Sequence, residues 1–129
     1  MNKSKCLVGI GAYNDGDRLK KTLATRPQDF PYDILLIDDG STDGSFDDID
    51  KTAYTVIRNE VNSGIGVNIR KACKYAKDNG YEVIAVVPGN NKNTLAEVDR
   101  LVEPILNNKA DYVQGMGSTK RSTSAKVFL

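Results

Sequence analysis

Histidine is absent from this chain of 129 residues. That removes Ser-His and Cys-His nucleophilic mechanisms and every metal site built on imidazole. Cysteine is scarce: only Cys6 and Cys73 occur. One falls in an expected strand and the other in an expected helix, without metal-type spacing. Both are therefore expected to be buried free thiols in a reducing, cytoplasmic compartment. An excess of charge of either sign is missing too. Lys and Arg total 18 against 17 acids, a net charge of +1, which gives no electrostatic footing for nucleic acid or a membrane surface. No apolar run approaches membrane-spanning length. The polar Met1–Lys5 and the short run Cys6–Ala12 predict no secretory leader. There is no Gly-x-x-x-x-Gly-Lys-Ser/Thr loop, and Gly9, Gly11 and Gly16 lack the dinucleotide-fingerprint spacing. No internal repeat is visible. What remains is a length sufficient for one domain with its own core.

What is present alternates between strand and helix patterns. Cys6–Ala12 reads as a buried first strand, Asp33–Asp38 as a second, Ala53–Arg58 as a third and Glu82–Val87 as a fourth. Between them lie a short helix over Asp17–Thr25, a helix or turn over Asp43–Lys51, and a clear helix over Gly64–Asn79. In that helix Ile65, Ile69, Ala72, Cys73 and Ala76 share one face, and Gly80 stops it. Thr94–Glu97 has capping-box spacing before a stripe of Leu95, Val98, Leu101, Val102, Ile105 and Leu106, with Pro104 placed to kink the last turn. Tyr112 and Val113 suggest a short fifth strand. Strands separated by helices mean βαβ units with right-handed crossovers. The expected fold is thus α/β: a three-layer α/β/α domain with a mostly parallel sheet over residues 1–117, and 118–129 as a mobile tail.

The strongest local signal is the apolar run Ile34-Leu35-Leu36-Ile37 ending in Asp38-Asp39-Gly40-Ser41. It places two carboxylates at the C-terminal end of a buried strand, the edge at which open α/β sheets bind ligands. Adjacent acids repel, so donors on a ligand, a cation or backbone N–H groups must compensate. Alternatively, the pair only caps the turn and the following helix. Four turns gather at this edge: Ala12-Tyr13-Asn14, Asp38–Ser41, Asn59–Gly66 and Pro88–Asn93. Their aromatic, carboxylate, amide and glycine groups suit a nucleotide, whose base takes a π-face and hydrogen-bond partners and whose phosphates take N–H groups.

In order, Ala12-Tyr13-Asn14, Asp38-Asp39-Gly40-Ser41-Thr42-Asp43-Gly44-Ser45, Asn62-Ser63-Gly64-Ile65-Gly66 and Ala110-Asp111-Tyr112-Val113-Gln114-Gly115 resemble family 2 glycosyltransferases. The likeness is strongest to the dolichyl-phosphate mannose synthase type and covers roughly residues 6–118. It implies the nucleotide-binding half of the Rossmann-like GT-A fold and an inverting transferase using a nucleotide-diphosphate sugar. By this resemblance the nucleotide-binding residues are Ala12, Tyr13, Asn14, Asp38, Asp39, Gly64, Gly89 and Asn90. Tyr13 would lie against the base, and Asp38 or Asp39 would accept from the base or ribose.

Two departures qualify that expectation. The family's Asp-x-Asp motif, which holds Mg²⁺ or Mn²⁺ against the donor diphosphate, would fall on Pro88-Gly89-Asn90. Neither Pro88 nor Asn90 supplies the charge a hard cation wants. Lys92 could neutralise phosphate directly, or simply be solvated. An inverting transfer also needs an acidic general base, and Tyr112–Leu129 contains no acid. No catalytic or metal-binding residue is therefore assigned. Three readings stand: a glycosyltransferase donor-binding part; a non-catalytic nucleotide-sugar-binding or protein-interaction module; and an unrelated nucleotide-binding α/β domain. A domain severed from its acceptor half would expose apolar surface and be open to self-association.

Overall fold

A computed structural model describes residues 5–90, 94–114 and 126–128. The elements run β1 (Cys6–Ala12), α1 (Gly16–Ala24), β2 (Asp33–Asp38), β3 (Thr55–Arg58), α2 (Ile65–Asp78), β4 (Val83–Pro88), α3 (Val98–Leu106), β5 (Tyr112–Gln114) and β6 (Lys126–Phe128). A 3-10 turn, Leu95–Glu97, leads into α3. One sheet has the order β3-β2-β1-β4-β6-β5. The first four of these strands are mutually parallel, and β6 runs antiparallel to both β4 and β5.

Side-chain alternation along the strands builds the three layers. Cys6, Val8 and Ile10 of β1, with Ile34 and Leu36 of β2, pack against Leu19 of α1 and Val98, Val102 and Ile105 of α3. On the opposite face Leu7, Leu35, Ile37 and Ile84 meet Ala72 and Ala76 of α2. β1 is asymmetric. Its α2-facing positions beyond Leu7 are Gly9 and Gly11. A methyl built on Gly9 would lie 3.4 Å from the Ala72 Cβ, so small residues on both sides bring helix and sheet close.

The chain follows the expected α/β/α architecture, with differences that have physical causes. Of the helix or turn expected over Asp43–Lys51, the chain forms turns. Asp43 accepts from the Ser45 N–H and Asp50 from the Thr52 N–H, each at 2.9 Å. Such local bonds compete with a helical ladder. Ile65 and Cys73 are exposed, not on the packed face of α2. Cys6 alone is a buried thiol, and burial pushes it up to about 12. Thr94 caps by accepting from the Ala96 N–H at 3.2 Å. Lys126–Phe128 lies within the expected tail but pairs as β6 with β4 and β5. Those three residues are therefore not a free tail, while the rest of 118–129 lies outside the described residues.

Candidate functional site

The sheet order changes direction at β1: β2 and β3 lie to one side, and β4 lies to the other. The C-terminal end of β1 is thus a topological switch point, the usual crevice for a ligand in such sheets. A pocket of about 200 Å³ opens there. Gly9 and Gly11 form its floor, and Asn68, Ile69 and Ala72 of α2 its roof. Ile37 and Asp39 bound it on the β2 side, Val86 and Pro88 on the β4 side, and Tyr13 and Ile65 at the mouth. Tyr13 is 44% exposed, so its ring is available to a planar ligand.

The Asp38–Ser41 turn and the Ala12–Asn14 loop lie side by side, as expected. The Asp39 N–H donates to the Ala12 carbonyl at 3.0 Å. Asn14 stitches the same loops together: its N–H donates to Ser41 Oγ at 3.1 Å, and its Oδ1 accepts from the Thr42 N–H at 2.8 Å. That side chain works across the turn and does not line the pocket. The Gly89 N–H donates to the Gly11 carbonyl at 3.0 Å. A methyl at Gly89 would come within 3.0 Å of both that oxygen and Leu19. Gly89 is therefore a close-packing residue. Asn90 stands past the pocket rim, half-buried, and Lys92 lies outside the described residues.

The two carboxylates separate. Strand alternation sends Asp38 to the α1/α3 face and Asp39 to the α2 face. Asp38 is 1% exposed; its Oδ2 takes Arg58 Nη1 at 2.7 Å and its Oδ1 the Ser41 N–H at 2.8 Å. Arg58 also donates to the Ser41 carbonyl at 2.8 Å. Asp38 is thus turned away from the pocket and answered by a cation. Asp39 is 3% exposed and lines the pocket. Its Oδ1 accepts from Asn59 Nδ2 and the Ser63 N–H, both at 2.8 Å. Its Oδ2 accepts from the Gly64 N–H at 3.0 Å and Asn62 Nδ2 at 3.2 Å. Burial pushes this carboxyl upward, but the bonds from Asn59 and from the Ser63 and Gly64 N–H groups outweigh it and hold the group below the usual range. Gly64, with φ of +89°, is the N-cap of α2 and serves the site by this donation.

Of the expected nucleotide residues, the pocket therefore brings together Ala12, Tyr13 and Asp39 directly. Asn14, Asp38 and Gly64 brace the loops around it. Gly9, Gly11, Asn68 and Ile69 were not foreseen. The alternation Leu7-Val8-Gly9-Ile10-Gly11, bulky on one face and bare on the other, was the signal available for the floor. A divalent cation does not fit the residues at the end of β4. Pro88 and Asn90 carry no charge, and both Asp38 and Asp39 are already engaged. Among the described residues, no three carboxylates or thiols gather as metal ligands.

The profile of Glycosyl transferase family 2 matches residues 7–123. The chain belongs to this family. A UDP-N-acetylglucosamine–dolichyl-phosphate N-acetylglucosaminyltransferase of Methanococcus voltae is 23% identical, over 82% of this chain and 49% of that protein. The chain spans about half the length of the curated relatives it matches. Among solved structures, a cytidylyltransferase of Leptospira borgpetersenii superposes with a TM-score of 0.71 at 17% identity, covering 96% of this chain and 60% of that one. Glucosyl-3-phosphoglycerate synthase of Mycobacterium tuberculosis, in complex with Mn²⁺, UDP-glucose and phosphoglyceric acid, superposes with a TM-score of 0.69 at 21% identity, covering 90% of this chain and 45% of that one. These likenesses establish the GT-A-type fold. Among the described residues, no helix is long and apolar enough to cross a membrane.

Proposed function

We propose that this chain is the donor-binding part of a glycosyltransferase and seats the nucleoside of a nucleotide-diphosphate sugar in the pocket over Gly9 and Gly11. The observation that carries this reading is the pocket's composition at the switch point. An apolar slot wide enough for a planar group has an exposed aromatic ring at its mouth and one buried carboxylate in its wall. A base takes apolar walls and a ring face, and its N–H takes the carboxylate. Asn62 Nδ2 makes the longest bond to Asp39 and belongs to an exposed residue, so a ligand N–H can replace it. Family membership supports the donor class. Catalysis by residues of this chain is a separate matter. Pro88 and Asn90 favour, as a second reading, a module that binds the donor without transferring sugar.

Isothermal titration of the chain with nucleoside diphosphates tests the site. A methyl at Gly11 would sit 3.6 Å from Asn68 Nδ2 and 4.0 Å from the Ile37 carbonyl, filling the floor without a clash. Gly11→Ala should therefore weaken binding several-fold while leaving the melting temperature nearly unchanged. Undiminished binding in Gly11→Ala would remove the nucleoside from this pocket. A transfer assay then separates an active enzyme from a binding module.

A further inference from the structure

At the end of α2 farthest from the pocket stands Asn79-Gly80, and Asn79 is the one asparagine of this sequence that glycine follows. Both residues are exposed. They close the helix in a Schellman turn. The Tyr81 N–H donates to the Ala76 carbonyl at 2.9 Å and the Gly80 N–H to the Lys77 carbonyl at 3.4 Å, with Gly80 at φ +78°. Asn79 Nδ2 donates back to the Tyr75 carbonyl at 2.9 Å. The bond from the Gly80 N–H is the longest of the three, and a methyl on Gly80 would meet nothing within 4 Å. A carboxamide thus stands beside a main-chain nitrogen that no side chain shields and that is held loosely.

We propose that Asn79 is a site of self-modification, converted to aspartate and its iso-linked isomer when the last turn of α2 frays. The Gly80 nitrogen attacks the Asn79 side-chain carbonyl carbon and gives up its proton, and the amide nitrogen leaves as ammonia, closing a cyclic imide. Water then opens the ring. Opening at the side-chain carbonyl leaves aspartate; opening at the main-chain carbonyl routes the backbone through the side chain and adds a methylene to it. Water is taken up, ammonia is released, and nothing is oxidised. The closed turn holds the reactants off: the side chain is tied back to Tyr75 and the Gly80 N–H is aimed at Lys77. Attack therefore waits on fraying, the low-energy opening of a helix end. Conversion then keeps the turn open. A carboxylate has no N–H for the Tyr75 carbonyl, and it adds negative charge next to Asp78 at the helix C-terminus, where the macrodipole disfavours it. The added methylene shifts Gly80 and Tyr81 out of register with their two acceptors.

Peptide mass spectrometry of the whole chain, incubated in mildly alkaline buffer below its melting temperature and in parallel in urea, tests this. In urea Asn79 should exchange NH2 for OH ahead of every other asparagine. In buffer the same site should convert about ten- to a hundredfold more slowly, as local fraying requires. In urea, where no fold is needed, Gly80→Ala should slow the exchange by about tenfold or more, because a side chain now shields the nitrogen. Asn79→Asp, which reproduces one product, should lower Tm by about 3 °C or more. Earlier conversion of another asparagine in urea, or an undiminished rate in Gly80→Ala, overturns the site. Equal rates in buffer and urea overturn protection by the turn, and a native rate more than about a thousandfold slower shows that global unfolding gates the reaction and overturns fraying. An unchanged Tm in Asn79→Asp overturns the opening of the turn by conversion.

Discussion

Asp39→Asn should cost this domain about 3–5 kcal/mol at neutral pH, although it changes no side-chain volume of consequence. Four donors converge on the carboxylate: Asn59 Nδ2, Asn62 Nδ2 and the N–H groups of Ser63 and Gly64. An amide keeps only one oxygen. Its better orientation keeps the two 2.8 Å bonds, from Asn59 and Ser63, and turns its own NH2 group against Gly64 and Asn62. The exposed Asn62 can rotate into water. The Gly64 N–H, one of the unpaired donors at the start of α2, is left facing another donor, at roughly 1–3 kcal/mol. The two surviving bonds lose their charge assistance, about 1 kcal/mol each. For a domain of this size that total corresponds to a fall in Tm of about 10–15 °C. The pH dependence follows in sign. The folded-state pKa of Asp39 lies below the usual carboxylate range, so the carboxylate's contribution is complete above about pH 4 and is lost as pH falls through the lowered folded value. The gap in Tm between the native chain and Asp39→Asn should be full at pH 7 and narrow only below about pH 4. Thermal melts by circular dichroism across this range measure both. A loss under about 3 °C at pH 7, or a gap insensitive to acid, would refute the role of Asp39 as the clasp between β2 and α2.

Two glycines with positive φ should behave differently. A methyl at Gly40 (φ +80°) would lie 2.6 Å from the backbone of both Val61 and Asn62, so Gly40→Ala should abolish folding or lower Tm by more than about 10 °C. Gly64→Ala (φ +89°) meets nothing within 4 Å and should cost only the conformational strain, about 1–3 kcal/mol; equal losses in the two melts would contradict this. Thiol titration with a disulfide reagent should find Cys73 accessible in the native chain and Cys6 reactive only after denaturation, with two fast thiols as the opposing result. Calorimetry with Mn²⁺ should register weak or no binding, because neither Pro88 nor Asn90 offers a charged ligand; tight binding abolished by Asp39→Ala would place a metal where the hydrogen bonds leave no free oxygen.

The parts of the fold legible in sequence are those with local causes. β1 and β2 run to the expected residues because buried apolar stretches there end in turn-forming groups. α2 was clear from its period, but only part of its expected face is buried: Ala72 and Ala76 pack on the sheet, with Tyr75 beside them. Ile65 overhangs the pocket mouth instead. β6 was invisible because three residues whose place is set by pairing with β4, far back in the chain, and with β5 carry no local pattern. At the site, the loops were legible and the directions of their side chains were less so. The adjacent aspartates could be placed at the strand end, but their separate partners, Arg58 on one side and the Asn59–Gly64 segment on the other, depend on tertiary contacts.

That separation bears on what the Asp38-Asp39-Gly40-Ser41 motif means. Two neighbouring carboxylates at a ligand-binding edge suggest compensation by a ligand or a cation. Here the protein supplies it. The pleat sends the two groups to opposite faces, Arg58 answers Asp38, and amide N–H groups answer Asp39. Each carboxylate then fastens a crossover. Asp38 holds its own turn to β3 through Arg58, and Asp39 holds the turn that opens α2. Gly40 is compelled by the same arrangement, because its backbone passes against Val61 and Asn62 of that turn. The motif is therefore explained largely by the architecture it closes, with Asp39 also lining the pocket wall. Its presence speaks for the fold before it speaks for turnover. The question of catalysis moves to the end of β4, where Pro88 pairs in register with Gly11 and the neutral Asn90 follows.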